Sequence, residues 1–223
     1  MQAGHPSPRL ASMDHRPRLL IPAISGLLLL AAVIFAILAG SSGNSSGGSR
    51  SPGTAAGSGF DGAALPGGVA APPFTLTDPS GHRVSLRSLR GRPVLIAFPY
   101  THCRNSCILI AQQIRGALDE LSSPPAVLLV SADPAGDTPA RIRSFLGRVS
   151  LAGRASYLTG TASQLERVWR AYRVTPSSAG SAAYGKYATV LLIDSAGQER
   201  VLYGPEQLTP EALSHDIRKL QSG

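Results

Sequence analysis

Cysteine is scarce in this sequence, whose 223 residues include only Cys103 and Cys107. Two cysteines exclude a scaffold held by several disulfides, so a hydrophobic core must stabilise the fold. Aromatic residues make up 5% of the chain and charged residues 15%, and the basic residues form no run although the net charge is +8. Nucleic-acid binding is therefore not expected, whereas a mildly basic exterior suits an anionic membrane surface.

Charge is missing altogether between residues 19 and 39, which read LLIPAISGLLLLAAVIFAILA. A helix of this length spans about 31 Å, the thickness of one bilayer core. Arg9, Arg16 and Arg18 precede it, so the positive-inside rule places residues 1–18 in the cytoplasm. A cleaved signal peptide is the alternative, but its apolar core is usually about 7–15 residues long. We expect a single-pass anchor in a bacterial plasma membrane, with the C-terminal domain extracytoplasmic.

A composition change marks the expected domain boundary. Residues 40–71 are rich in Gly, Ser and Ala, which predicts a flexible linker, and residues 72–223 form the predicted domain. Strands and helices alternate within it, which predicts an α/β domain with a mixed sheet and helices on both faces. The predicted strands lie near residues 74–78, 83–86, 93–98, 126–131, 157–158, 189–193 and 199–203, and the predicted helices near 105–121, 138–149, 161–172 and 209–220.

The cysteine pair follows a predicted buried strand and stands where a predicted helix begins. The partial positive charge of a helix N-terminus favours a thiolate over a thiol, and the neighbours His102 and Arg104 act in the same direction. Four helical residues rise about 6.0 Å, so both sulfurs face one side within disulfide reach. When reduced, the two thiolates are suitable ligands for Cu(I) or Zn(II). When oxidised, the pair forms either a disulfide that exchanges with other thiols or a small inert disulfide.

Several segments resemble the SCO/SenC family of copper-binding proteins, which help to assemble cytochrome c oxidase. The resemblance covers residues 72–204 and implies a thioredoxin-like fold, an N-terminal anchor and Cu(I) bound by Cys103 and Cys107. It implies an oxidase copper subunit, or another copper or thiol protein, as partner, and assembly more than enzymatic turnover. The matching segments are Pro73-Phe74-Thr75-Leu76, Gly91-Arg92-Pro93-Val94-Leu95-Ile96, Tyr100-Thr101-His102-Cys103-x-x-x-Cys107, Ser131-x-Asp133-Pro134-x-x-Asp137-Thr138-Pro139, Leu158-Thr159-Gly160-Thr161, Ala171-Tyr172-Arg173-Val174 and Leu192-Ile193-Asp194-x-x-Gly197.

The sequence departs from the family pattern near the cysteines. Arg104 and Ile108 stand where the family usually has Pro, and Lys186 stands where the third copper ligand, a His, is expected. A protonated Lys cannot donate a lone pair to copper, although it would lower the pKa of nearby thiols. His102 is the candidate substitute ligand. The two other histidines of the predicted domain, His82 and His215, are expected at the surface.

Two other functions remain open. Lys186 and the position of the cysteines also suit a membrane-tethered thiol–disulfide oxidoreductase of thioredoxin-like type. Two features argue against an oxidoreductase of this type. Thioredoxin-type reductases use Cys-x-x-Cys and a cis-Pro, whereas this chain has three residues between its cysteines and Ala188 at the position of that Pro. A binding module that has lost both activities is the third alternative. Asp133 and Asp137 suit either a metal or docking site, or turn and helix-capping roles.

Overall fold

The computed structural model describes residues 57–103, 105–176 and 189–222. This part of the chain forms a six-stranded sheet, a separate two-stranded hairpin and four α-helices. The strands are β1 (Ala63–Ala64), β2 (Thr75–Thr77), β3 (Arg83–Ser85), β4 (Val94–Ala97), β5 (Ala126–Val130), β6 (Ser156–Leu158), β7 (Val190–Ile193) and β8 (Glu199–Tyr203). The helices are α1 (Ser106–Asp119), α2 (Pro139–Arg148), α3 (Ala162–Ala171) and α4 (Pro210–Ser222), with a short 3-10 helix at Leu86–Leu89.

The main sheet is mixed, as the alternation of elements predicts. Its strand order is β1-β8-β7-β4-β5-β6, with β4, β5 and β6 parallel and β7, β8 and β1 antiparallel. The expected edge strand near Tyr157 is β6. Strands β2 and β3 form the predicted first hairpin, which pairs with itself and touches the main sheet through a bridge from Thr77 to Thr159.

Helices cover both faces of the sheet, which confirms the predicted layering. Alternate residues of β4 point to opposite faces, so Leu95 joins one apolar cluster and Ile96 the other. Helices α1, α2 and α4 pack on the first face, and α3 packs with the β2–β3 hairpin on the second. Both clusters consist of residues between Phe60 and Leu220. A domain that begins at Gly57 therefore includes every described residue of both clusters.

Threonine side chains cap the start of two helices, α2 and α3. Thr138 accepts a hydrogen bond from the Arg141 N–H and is followed by Pro139 in the first turn of α2. Thr161 forms a capping box with Gln164 at the start of α3, because each side chain accepts from the other residue's backbone N–H. These caps satisfy backbone donors that would otherwise lack a partner.

The predicted linker is wrong for its last residues. Residues 59–64, here called the strap, pack on the domain: Phe60 is buried and β1 pairs with β8. The buried Asp216 carboxylate on α4 accepts the backbone N–H groups of Asp61 and Gly62, at 2.9 and 3.0 Å. These contacts hold a Gly- and Ala-rich segment whose composition alone predicts flexibility.

The N-terminal predictions concern residues outside the described part of the chain. They are the cytoplasmic segment 1–18, the anchor 19–39 and the linker up to residue 56. Across the described ranges, no helix combines the length and the apolar character that crossing a bilayer requires.

Candidate metal centre at the cysteine pair

The two cysteines are joined by a disulfide at the start of α1. Cys107 lies in the first turn of the helix and Cys103 precedes it, with the two Cα atoms 5.8 Å apart. Both side chains are buried, with 5% of Cys103 and 2% of Cys107 exposed. The predicted disulfide reach is therefore confirmed, and the sulfurs form one compact donor pair.

The two sulfurs have different surroundings. The backbone N–H of Cys107 donates to the Sγ of Cys103 at 3.1 Å, and the Ser106 hydroxyl lies 3.6 Å from the same sulfur. Cys107 instead borders a small apolar cavity lined by Ile110, Leu129 and Phe145. Because donors and the helix N-terminus stabilise negative charge, Cys103 is the better site for a thiolate once the pair is reduced.

A buried carboxylate fixes the loop that leads into Cys103. Asp137, only 4% exposed, accepts the Thr101 backbone N–H at 2.7 Å. It also accepts the hydroxyls of Ser131 and Tyr157, at 2.6 and 2.7 Å. The N-cap of α2 is Thr138, so the capping role considered for Asp137 is wrong. Its carboxylate instead positions the backbone beside the cysteine pair.

His102 lies against the acidic loop. Its Nδ1 is 3.7 Å from the Asp133 Oδ2, too far for a hydrogen bond, and its ring centroid is 4.7 Å from that of Tyr100. Both ring nitrogens are buried, and neither makes a hydrogen bond to any described residue. Asp133 accepts the Gly136 N–H, as expected of a turn residue. His102 therefore precedes Cys103 directly in the chain, while its ring lies against Asp133, Gly136 and Tyr100.

The other predicted residues are elsewhere or outside the described ranges. His82 lies in the β2–β3 turn, where its Nδ1 is 2.9 Å from the Ser80 hydroxyl. His215 lies on α4, between the carboxylates of Asp61 and Asp216 at 3.2 and 2.9 Å. Lys186, Arg104 and Ala188 fall outside the part of the chain that the structure describes.

The sequence alone does not reveal the residues that support the backbone and sulfur atoms around Cys103 and Cys107. From the sequence, Ser106 and Tyr157 have no assigned role at the pair, and the buried positioning role of Asp137 is not among the metal, docking, turn and capping roles considered for it. Ser106 could have been found from its position one residue before Cys107 at the helix start. Tyr157 offers no local signal, because its partner Asp137 belongs to another element.

Comparison with known proteins fits this geometry. The SCO1/SenC family model matches residues 64–222, which is most of the chain. This chain belongs to the SCO1/SenC family. Human protein SCO1 homolog, mitochondrial, is 34% identical over 109 residues, which cover 46% of this chain and 35% of that protein. Protein SenC of Rhodobacter capsulatus is 31% identical over 104 residues, covering 45% of this chain and 46% of that protein.

Solved structures of the SCO1/SenC family share the thioredoxin-like fold. The copper-bound structure of Bradyrhizobium japonicum ScoI matches with a TM-score of 0.51 and 28% identity, covering 68% of this chain and 99% of that chain. The match to curated relatives is shorter: this chain spans between about a third and a half of the length of the two named above.

Proposed function

We propose that this SCO1/SenC chain handles Cu(I) for the assembly of cytochrome c oxidase, with Cys103 and Cys107 as the two copper ligands. The observation that carries the proposal is the buried pair of adjacent sulfurs at the N-terminus of α1. The copper-bound ScoI relative supports it. In this proposal residues 19–39 anchor the chain in a bacterial plasma membrane, and the domain lies on the extracytoplasmic side. The copper is cargo, delivered to an oxidase copper subunit.

The residues around the pair fit Cu(I). Thiolates are soft ligands that select Cu(I), and imidazole also binds copper. An external dithiol reductant supplies two electrons and two protons to open the disulfide, and Cu(I) then displaces the thiol protons. His102, with both ring nitrogens free of hydrogen bonds to described residues, is the third donor proposed for this chain. It takes the role that the family gives to the His replaced by Lys186.

A competition titration tests the copper proposal. The reduced domain, residues 57–223, competes for Cu(I) with a chromophoric chelator, beside Cys103→Ser/Cys107→Ser and His102→Ala variants. We expect one Cu(I) per chain, held more tightly than by a small free dithiol. The double variant should lose this binding, and His102→Ala should weaken it by at least about 10-fold. Binding no tighter than that of the free dithiol, or binding that survives in the double variant, contradicts the proposal.

A second function, thiol–disulfide exchange, is favoured by the hydrogen bond that Cys103 receives. The Cys107 N–H at 3.1 Å stabilises a Cys103 thiolate, which can attack a substrate disulfide. Cys107→Ser should then trap a mixed disulfide at Cys103, whereas Cys103→Ser should trap little. A reduction potential below about −300 mV with slow exchange would instead mark a structural bond.

A further inference from the structure

A pocket with an apolar floor lies at the end of the sheet where β4 begins and β7 ends. The floor is formed by Val94 and Ile193, the terminal residues of those strands, and by Leu86 and Leu89 of the 3-10 helix. Val94 and Ile193 are almost completely buried. Such a floor accepts the hydrocarbon part of a ligand.

Two guanidinium groups line the same pocket. Arg87 and Arg90 are exposed, and neither forms an ion pair with a carboxylate of the described residues. The acidic residue that lines the pocket, Asp194, is buried and already pairs with Arg200 at 2.9 Å. Its other oxygen accepts the Gln198 N–H. Among the residues that the structure describes, the Arg87 and Arg90 charges therefore have no acidic partner.

We propose that this pocket binds the phosphate headgroup of an anionic phospholipid. Guanidinium groups match phosphate geometry with paired N–H donors, so Arg87 and Arg90 hold the headgroup. The glycerol and the first acyl carbons rest on Leu86 and Leu89. Free phosphate offers the same charge but leaves the apolar floor empty, which favours the lipid.

Lipid binding here would orient the domain. The pocket lies at the amino end of β4, and Cys103 follows the carboxyl end of the same strand. The four residues of β4 separate these ends by roughly 13 Å before the loop is counted. A domain docked through Arg87 and Arg90 presents its cysteine pair away from the bilayer, towards a partner that projects from it. This inference rests on the proposed membrane anchor in one respect: the anchor would hold the domain close to the bilayer that supplies the lipid.

Vesicle sedimentation of the anchor-free domain, residues 57–223, tests the site. The vesicles contain phosphatidylcholine alone or phosphatidylcholine mixed with phosphatidylglycerol. The test variant is Arg87→Gln/Arg90→Gln, and the control is Arg143→Gln/Arg170→Gln, which removes two exposed charges from α2 and α3. One arginine near an anionic surface contributes about 1 kcal/mol, so the test variant should bind mixed vesicles about 30-fold more weakly. The control should stay close to wild type.

Four results would overturn the inference. Equal losses in the two variants would show that only net charge matters, and equal binding to both vesicle types would remove the role of the anionic headgroup. Binding of inorganic phosphate without vesicle binding would make free phosphate the ligand. A domain that ignores both vesicle types, yet binds an acidic protein surface through Arg87 and Arg90, would make the site a protein interface. Cu(I) binding by Arg87→Gln/Arg90→Gln should remain intact, so failure here is distinguishable from failure of the copper proposal.

Discussion

Replacement of Asp137 by Ala should destabilise the domain more than any surface change near the cysteines. The buried carboxylate accepts three hydrogen bonds, from the Thr101 N–H and the Ser131 and Tyr157 hydroxyls. A bond to a charged group contributes about 1.5–3 kcal/mol. The total loss is smaller than the sum because Tyr157 keeps a bond to the Pro99 carbonyl at 3.1 Å. We expect a loss of about 4 kcal/mol in the free energy of unfolding.

Urea unfolding of the domain measures this loss, and the thermal midpoint should fall by about 8–16 °C. Asp133→Ala is the matched control, because its carboxylate is partly exposed and, among the described residues, accepts one hydrogen bond, from the Gly136 N–H, beside its longer contact with His102. The control should lose about 1 kcal/mol. Where Asp137→Ala is still folded, its Cu(I) affinity should drop about 10-fold, since the loop before Cys103 loses its support. A stability loss below about 1 kcal/mol would refute the positioning role of Asp137.

Two further predictions concern the strap and alkaline pH. Asp216→Ala should free the strap, so chymotrypsin should cut after Phe60 faster, whereas Glu211→Ala removes an exposed carboxylate from the same helix and should not accelerate the cut; equal cutting in both variants would contradict this. Burial raises the pKa of Tyr172, whose hydroxyl donates to the Pro72 carbonyl at 2.8 Å. Its contribution to stability is complete below the unfolded value of about 10 and is lost as pH rises further. Tyr172→Phe should therefore flatten the fall in unfolding free energy above pH ~10, and parallel curves would count against the assignment.

Local pattern was sufficient for the main elements. Strands β4, β5 and β7 are uninterrupted apolar runs, as expected for strands covered on both faces. The start of α2 follows from Thr138 and Pro139, because the cap and the first-turn Pro are local signals. The position of the cysteines at a helix start was predictable for the same reason.

Long-range contacts explain what the sequence could not reveal. The strap is ordered by Asp216, which lies 155 residues from Asp61, and a two-residue Ala strand carries no pattern of its own. Asp137 meets Thr101 across 36 residues, so only the fold distinguishes its buried role from a helix cap. The cysteine pair was visible in the sequence, whereas the network that holds it depended on tertiary structure.

X-ray absorption at the copper edge tests the central claim most directly. The reduced domain, loaded with one equivalent of Cu(I), should show two sulfur scatterers per copper, supplied by Cys103 and Cys107. His102→Ala should remove a nitrogen contribution and leave both sulfurs in place. A spectrum with only nitrogen and oxygen neighbours, or one unchanged in the Cys103→Ser/Cys107→Ser variant, would contradict the account.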